Sequence, residues 1–255
     1  MKQSLLTAFL LLSCFSAAGA AEMKETHNLN GKAMFFDWHY SHYEEPGLMA
    51  VKSRFPFSFS VGFRDETNIR SPEGNRSSGV SWNIEGAYGL ITYDGSGTYD
   101  HSYYKLLFEG YYSLSGAFFA GIGYRRLFDD FGPGNTSTSA RTFDRMSEYV
   151  YAPLGYNIKN TDGSNLKLQF NFLIKGQQTS YTSQVPGNLS DLVNDQNEGF
   201  GFDVSYANPE GSWEVYYRYW SIENSEISPR ATIAGVRYGF EPKNKTSEIG
   251  VRYRF

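Results

Sequence analysis

Apolar and polar residues alternate with a period of two along most of this chain. Across 54–64 one alternate set reads Phe55, Phe57, Phe59, Val61, Phe63, and the other reads Arg54, Pro56, Ser58, Ser60, Gly62, Arg64. Across 166–175 the sets are Leu166, Leu168, Phe170, Phe172, Ile174 and Lys167, Gln169, Asn171, Leu173, Lys175. Successive side chains of a strand point to opposite faces, so each segment has one apolar side and one polar side. The same pattern recurs around Met34–Tyr40, Trp82–Leu90, Tyr104–Tyr112, Phe118–Tyr124, Phe200–Tyr206, Trp213–Tyr219 and Ile249–Phe255. The segment 148–158 is the least regular, with Pro153 and aromatic residues on both faces. Ten strands are predicted.

A soluble sandwich also alternates, but three features favour a transmembrane barrel. Aromatic residues make up 17% of the chain, and they crowd the ends of the apolar faces, where membrane barrels carry aromatic girdles. The segments cluster near the length that a tilted strand needs to cross a bilayer. Short turns at 113–116, 159–165 and 208–211 alternate with long polar stretches at 128–145, 176–197 and 223–246. The predicted fold is therefore an all-β, antiparallel up-and-down barrel with both termini on the periplasmic side. Outer loops are expected at 44–53, 94–101 and the three long stretches. The polar connection 65–79 is long for a periplasmic turn. Residues 231–240 read either as a small surface hairpin or as a further strand, which keeps twelve strands as an alternative. Mean hydropathy of −0.46 suggests a soluble protein, but it averages a greasy exterior with a charged interior.

Lys2, the apolar run 5–12 and Ala18-Gly19-Ala20 form the pattern of a secretory signal peptide, with cleavage expected after Ala20. Leu11-Leu12-Ser13-Cys14 loosely matches a lipidation site, the competing reading. Residues 21–31 are then an N-terminal periplasmic segment, and 32–255 the barrel. The chain ends Val251-Arg252-Tyr253-Arg254-Phe255. This alternating strand with a terminal Phe resembles the assembly signature of Gram-negative outer-membrane barrels. The resemblance implies an outer-membrane location and recognition of Tyr253 and Phe255 by the barrel-assembly machinery. It also implies lipid and lipopolysaccharide as neighbours. Tyr93-Asp94-Gly95, Gly123-Tyr124-Arg125-Arg126-Leu127, Tyr217-Arg218-Tyr219-Trp220 and 241–246 further resemble a group of uncharacterised proteobacterial outer-membrane proteins.

The polar faces should meet inside a narrow barrel. They carry Asp37, His39, Glu85, Glu109, Asp203, Glu214 and Glu248 against Arg54, Arg64, Lys105, Arg125, Lys167, Lys175, Arg218, Arg252 and Arg254. Unpaired buried charge is costly, so acids and bases facing each other there are expected to pair. The expected lumen is a charge network that fills the barrel; the alternative is a narrow solute-selective pore. A general porin needs more strands.

Other constellations are weaker. Asp129-Asp130 with Asp100-His101 resembles the acid and imidazole pairs of the omptin proteases, but no further omptin motif is present. Ser41-His42 and His101-Ser102 are strand neighbours and face opposite ways. Asp37 and His39 share a face, yet two ligands make no metal site. Asp191, Asn194, Asp195 and Asn197 match no defined calcium loop. The one Cys excludes a disulfide scaffold, and the formal net charge of −4 argues against nucleic-acid binding. No catalytic residue, metal or cofactor is expected. The function classes are a structural or surface-interaction barrel, a narrow pore, and, behind these, an outer-membrane hydrolase.

Overall fold

The computed structural model describes residues 32–66, 79–115 and 117–255. The expected signal peptide, the 21–31 segment and most of the 65–79 connection lie outside the described residues. Ten long strands follow one another: β1 (Lys32–Glu45), β2 (Met49–Asp65), β3 (Val80–Gly95), β4 (Gly97–Ser115), β5 (Phe118–Asp130), β6 (Arg145–Lys159), β7 (Asn165–Ser180), β8 (Gly199–Ala207), β9 (Trp213–Ile222) and β10 (Asn244–Arg254). Each pairs antiparallel with the next, and β10 returns to β1 with Tyr253 opposite Phe36. The sheet is thus a closed ten-stranded barrel, as the alternation predicts. Closure leaves no free strand edge in the wall.

The strands outrun their predicted ends on the side away from the termini. The predicted loop 94–101 is a tight turn between β3 and β4, with Gly95 opposite Gly97. The loop 44–53 shrinks to a turn at 46–48. Polar residues in these extensions hid them, because no apolar surface has to be covered there. The three long loops carry small elements of their own. Gly134–Asn135 pairs with Arg141–Thr142. Leu192–Asp195 adds to the upper end of β7. Ser228–Thr232 and Gly235–Gly239 form a separate hairpin. That hairpin stands outside the barrel wall, so the twelve-strand alternative is overturned.

Outward side chains form an apolar band. Trp38, Ile122, Phe172, Ile249 and Tyr253 are each more than half exposed. Aromatic rings mark its margins, with Trp213, Tyr156 and Tyr253 toward the termini and Tyr40, Tyr88 and Tyr104 toward the loops. Above the second margin the outward positions turn polar: Lys52, Arg54, Thr92, Asp100 and Lys245.

Not every ring faces outward. Phe35, Tyr103, Tyr111, Phe119, Tyr149, Tyr151, Tyr216 and Trp220 are buried inside. Several pass close over a glycine of an adjoining strand: Phe35 over Gly62, Tyr151 over Gly123, Phe119 over Gly155, Trp220 over Gly201 and Tyr216 over Gly250. A Cβ at Gly155 would stand 2.0 Å from the Phe119 ring. The missing side chain makes the slot that the ring occupies.

Candidate functional site: the charged lumen

The interior is crossed by ion pairs at mid-height. Arg252, 1% exposed at its side chain, reaches Glu85 at 2.8 Å, Asp37 at 3.0 Å and Glu214 at 3.0 Å. Arg218 grips both oxygens of Glu85 at 2.9 Å each. It also contacts Glu248 and Asp203, both at 3.1 Å. Lys105 bridges Glu248 at 2.6 Å and Glu85 at 3.0 Å. Glu85 therefore sits among three cations and is wholly buried. Bidentate arginine pairs of this kind fix geometry as well as charge.

A second group lies toward the termini. Arg64 meets Glu214 at 3.1 Å and Glu66 at 3.5 Å. Arg254 also pairs with Glu214, and Lys167 reaches Glu66 at 3.3 Å. Neutral donors complete the network. Tyr111 and Tyr151 donate to Glu109 at 2.6 and 2.8 Å, and Gln169 does so at 2.8 Å. Asn171 donates to Asp203 at 2.7 Å. His39 links Asp37, at 2.9 Å, to the Tyr103 hydroxyl. Arg125 has no ion-pair partner among the described residues. It faces the rings of Trp220 at 5.7 Å and Tyr149 at 5.9 Å, a cation–π arrangement. Between these side chains lie cavities of 10 and 30 Å³, room for about one or two waters each.

Fourteen of the sixteen expected lumen residues thus face inward, from Asp37 and His39 through Arg254. Arg54 and Lys175 do not, which corrects the sequence reading. The register of β2 shifts between Ser53 and Ser58, so Ser53 stays inward and Arg54 points out. That shift falls on Pro56, which has no N–H to give to a ladder. Arg54 pairs on the outer surface with Asp100 at 2.8 Å. A second shift in β7, where Val150 faces Lys175 and Tyr151 faces Leu173, turns Lys175 outward as well. Three extra residues in β2 and one in β7, each an odd number, invert every face beyond them. Nothing in the sequence marks the second one. Glu66 was missed because it lies in the stretch read as a connection.

The weaker constellations come apart. Asp129 faces inward beside Arg145, and Asp100 faces outward to Arg54. His101 is buried and stacks on Phe131 at 3.6 Å between ring centroids. Asp191 accepts from Ser183, and Asn194 donates to two backbone carbonyls. Above the apolar band a separate cluster gathers around Arg145. It contacts Glu45 at 2.8 Å and also pairs with Glu241. Burial outweighs the Arg145 charge here and pushes the Glu241 carboxyl up to about 7 and that of Asp129 to about 6. Burial holds the His101 imidazole down at about 4.

These values set a pH dependence. Because its folded value is raised, the stability that Glu241 contributes at low pH is lost as pH rises through about 7. The groups facing it are Arg145, Glu45 and Tyr43. Hydrogen-exchange protection of the 223–243 loop is expected to fall between about pH 5 and pH 8, and Glu241→Gln should flatten that fall. A variant that keeps the full slope would discount Glu241 as its source.

No protein-family model matches the chain, and no curated protein matches it. Among solved structures it is similar to the outer membrane protease OmpT of Escherichia coli, at 9% identity and TM-score 0.43 over 88% of this chain and 96% of that one. It is similar to the Neisserial surface protein A at 10% identity and TM-score 0.41, covering 88% and 97%. The β domain of the Bordetella autotransporter BrkA gives 11% identity and TM-score 0.42, covering 88% and 100%. The barrel architecture stands on the strand pairings themselves.

Proposed function

We propose that the chain is an integral outer-membrane barrel whose lumen is closed by its own ion pairs, with a structural or surface-presenting role. The observation that carries this reading is the set of contacts around Glu85, Arg218 and Arg252, which link β1, β3, β9 and β10 across the interior. A hydrated pore needs a continuous path, and here opposite charges occupy the path and bind each other. The apolar band with aromatic margins supports a bilayer location, and lipid with lipopolysaccharide is its natural surrounding there. The closing strand β10, with Tyr253 and Phe255 at its end, suits recognition by the assembly machinery. The reading assigns no catalysis: Asp129 lies against Arg145, and His101 is buried against Phe131.

Planar-bilayer recording tests it. The folded chain is expected to give no steady conductance steps. Reproducible steps of constant size would overturn the closed lumen and favour the narrow pore.

A further inference from the structure

A cavity larger than those of the lumen lies among the loops. It has a volume of 360 Å³ and opens at the end of the barrel opposite the termini. This size falls in the range of small-molecule sites, about 300–1,000 Å³. Three layers of chemistry line it.

Its walls carry the rings of Tyr93, Phe131, Phe143, Tyr238 and Phe240. Phe131 is held from two sides, by His101 at 3.6 Å and by Tyr93 edge-to-face at 5.7 Å. That wall is therefore preorganised rather than assembled on contact. The floor is polar, with buried Glu45 and Glu241 tied to Arg145. Toward solvent stand Arg141, which is exposed, and Arg230, which is half-buried. Neither guanidinium has an ion-pair partner among the described residues. A free guanidinium fork matches a carboxylate, with two parallel hydrogen bonds available.

We infer that this vestibule binds a carboxylate-bearing sugar unit, of the hexuronate type. The carboxylate would lie between Arg141 and Arg230. The C–H face of the sugar ring would rest against the aromatic wall, where the negative face of a ring favours partly positive hydrogens. Hydroxyls would donate to Glu45 and Glu241 on the floor. The site is independent of whether the lumen conducts, so it goes beyond the closed-barrel reading. The same sugar chemistry occurs in free acidic polysaccharide and in the saccharides of the outer leaflet.

Calorimetric titration of the folded barrel in detergent, with a hexuronate disaccharide and its neutral hexose counterpart, tests the inference. The acidic sugar is expected to bind at least about tenfold more tightly. Arg141→Ala and Arg230→Ala should each weaken it by about tenfold while leaving heat-modifiable migration on gels unchanged. Phe143→Ala should weaken both sugars. Competition by added lipopolysaccharide would support the site and place the ligand in the chain's own membrane. Binding without competition would support it and place the ligand outside. Equal affinity for both sugars, unchanged affinity in both arginine variants, or no heat up to about 10 mM would overturn it.

Discussion

Replacing Arg218 with alanine is expected to lower the stability of the folded barrel by about 3–5 kcal/mol. The arginine meets Glu85, Glu248 and Asp203 within 3.1 Å. Its removal takes one of three cations from Glu85, one of two from Glu248 and, among the described residues, the only ion-pair partner from Asp203, beside cavities with room for only about one or two waters each. The destabilisation comes mainly from the stranded acids rather than from the lost attraction. Arg54→Ala provides the comparison. Arg54 also makes an ion pair at 2.8 Å, but its side chain is 46% exposed and Asp100 is 57% exposed. An exposed pair contributes about 0–1 kcal/mol. Urea unfolding in micelles, followed by tryptophan fluorescence, reads both. Equal losses in the two variants would mean that the lumen charges are solvated, and the closed interior would have to be abandoned.

Gly123→Val is expected to destabilise the barrel by about 1–3 kcal/mol through overpacking. A Cβ at this position would lie 2.2 Å from the Tyr151 ring. That ring has nowhere to retreat. It packs edge-to-face on Trp220 at 4.9 Å, and its hydroxyl donates to Glu109 at 2.8 Å. Displacing it strips a donor from a wholly enclosed carboxylate. Gly110→Val is the matched control, since a Cβ there meets nothing within 4 Å. The same unfolding titration should find Gly110→Val within about 0.5 kcal/mol of the parent. If the two substitutions behave alike, the glycine slots do not set the packing of the inner rings.

Much of the candidate site is legible in the sequence. Asp37, Glu85, Lys105, Glu109, Lys167, Asp203, Glu214, Arg218, Glu248 and Arg252 all stand at polar positions of clear alternation, and all face inward. Arg54 and Lys175 were misplaced for one physical reason. An irregularity adds an odd number of residues to one strand only, three in β2 and one in β7, and counting in twos cannot see it. The inner tyrosines were harder still. Tyr103 and Tyr111 occupy the lumen face of β4, while their neighbours Tyr104 and Tyr112 occupy the outer face. Composition treats these four alike. What separates them is space opened on a neighbouring strand, as Gly89 does for Tyr103.

The vestibule shows the limit more sharply. Arg141, Arg230 and Glu45 come from three separate loop or strand-end segments, and no spacing rule joins them. Their polar character reads in sequence as ordinary solvated loop. Only the folding of the loops over the barrel mouth encloses a cavity between them.

The sequence by itself determined that the chain forms strands with one apolar and one polar face, and that the polar faces carry both signs of charge. These follow from the period of two, a local property of the extended backbone. The tertiary structure decided which acid meets which base. Arg218 and Arg252 reach Glu85 across 133 and 167 residues of chain. Such pairings depend on register and on closure of β10 against β1. Each is a property of the whole sheet, set by how ten strands fit around one axis, and no single strand contains it.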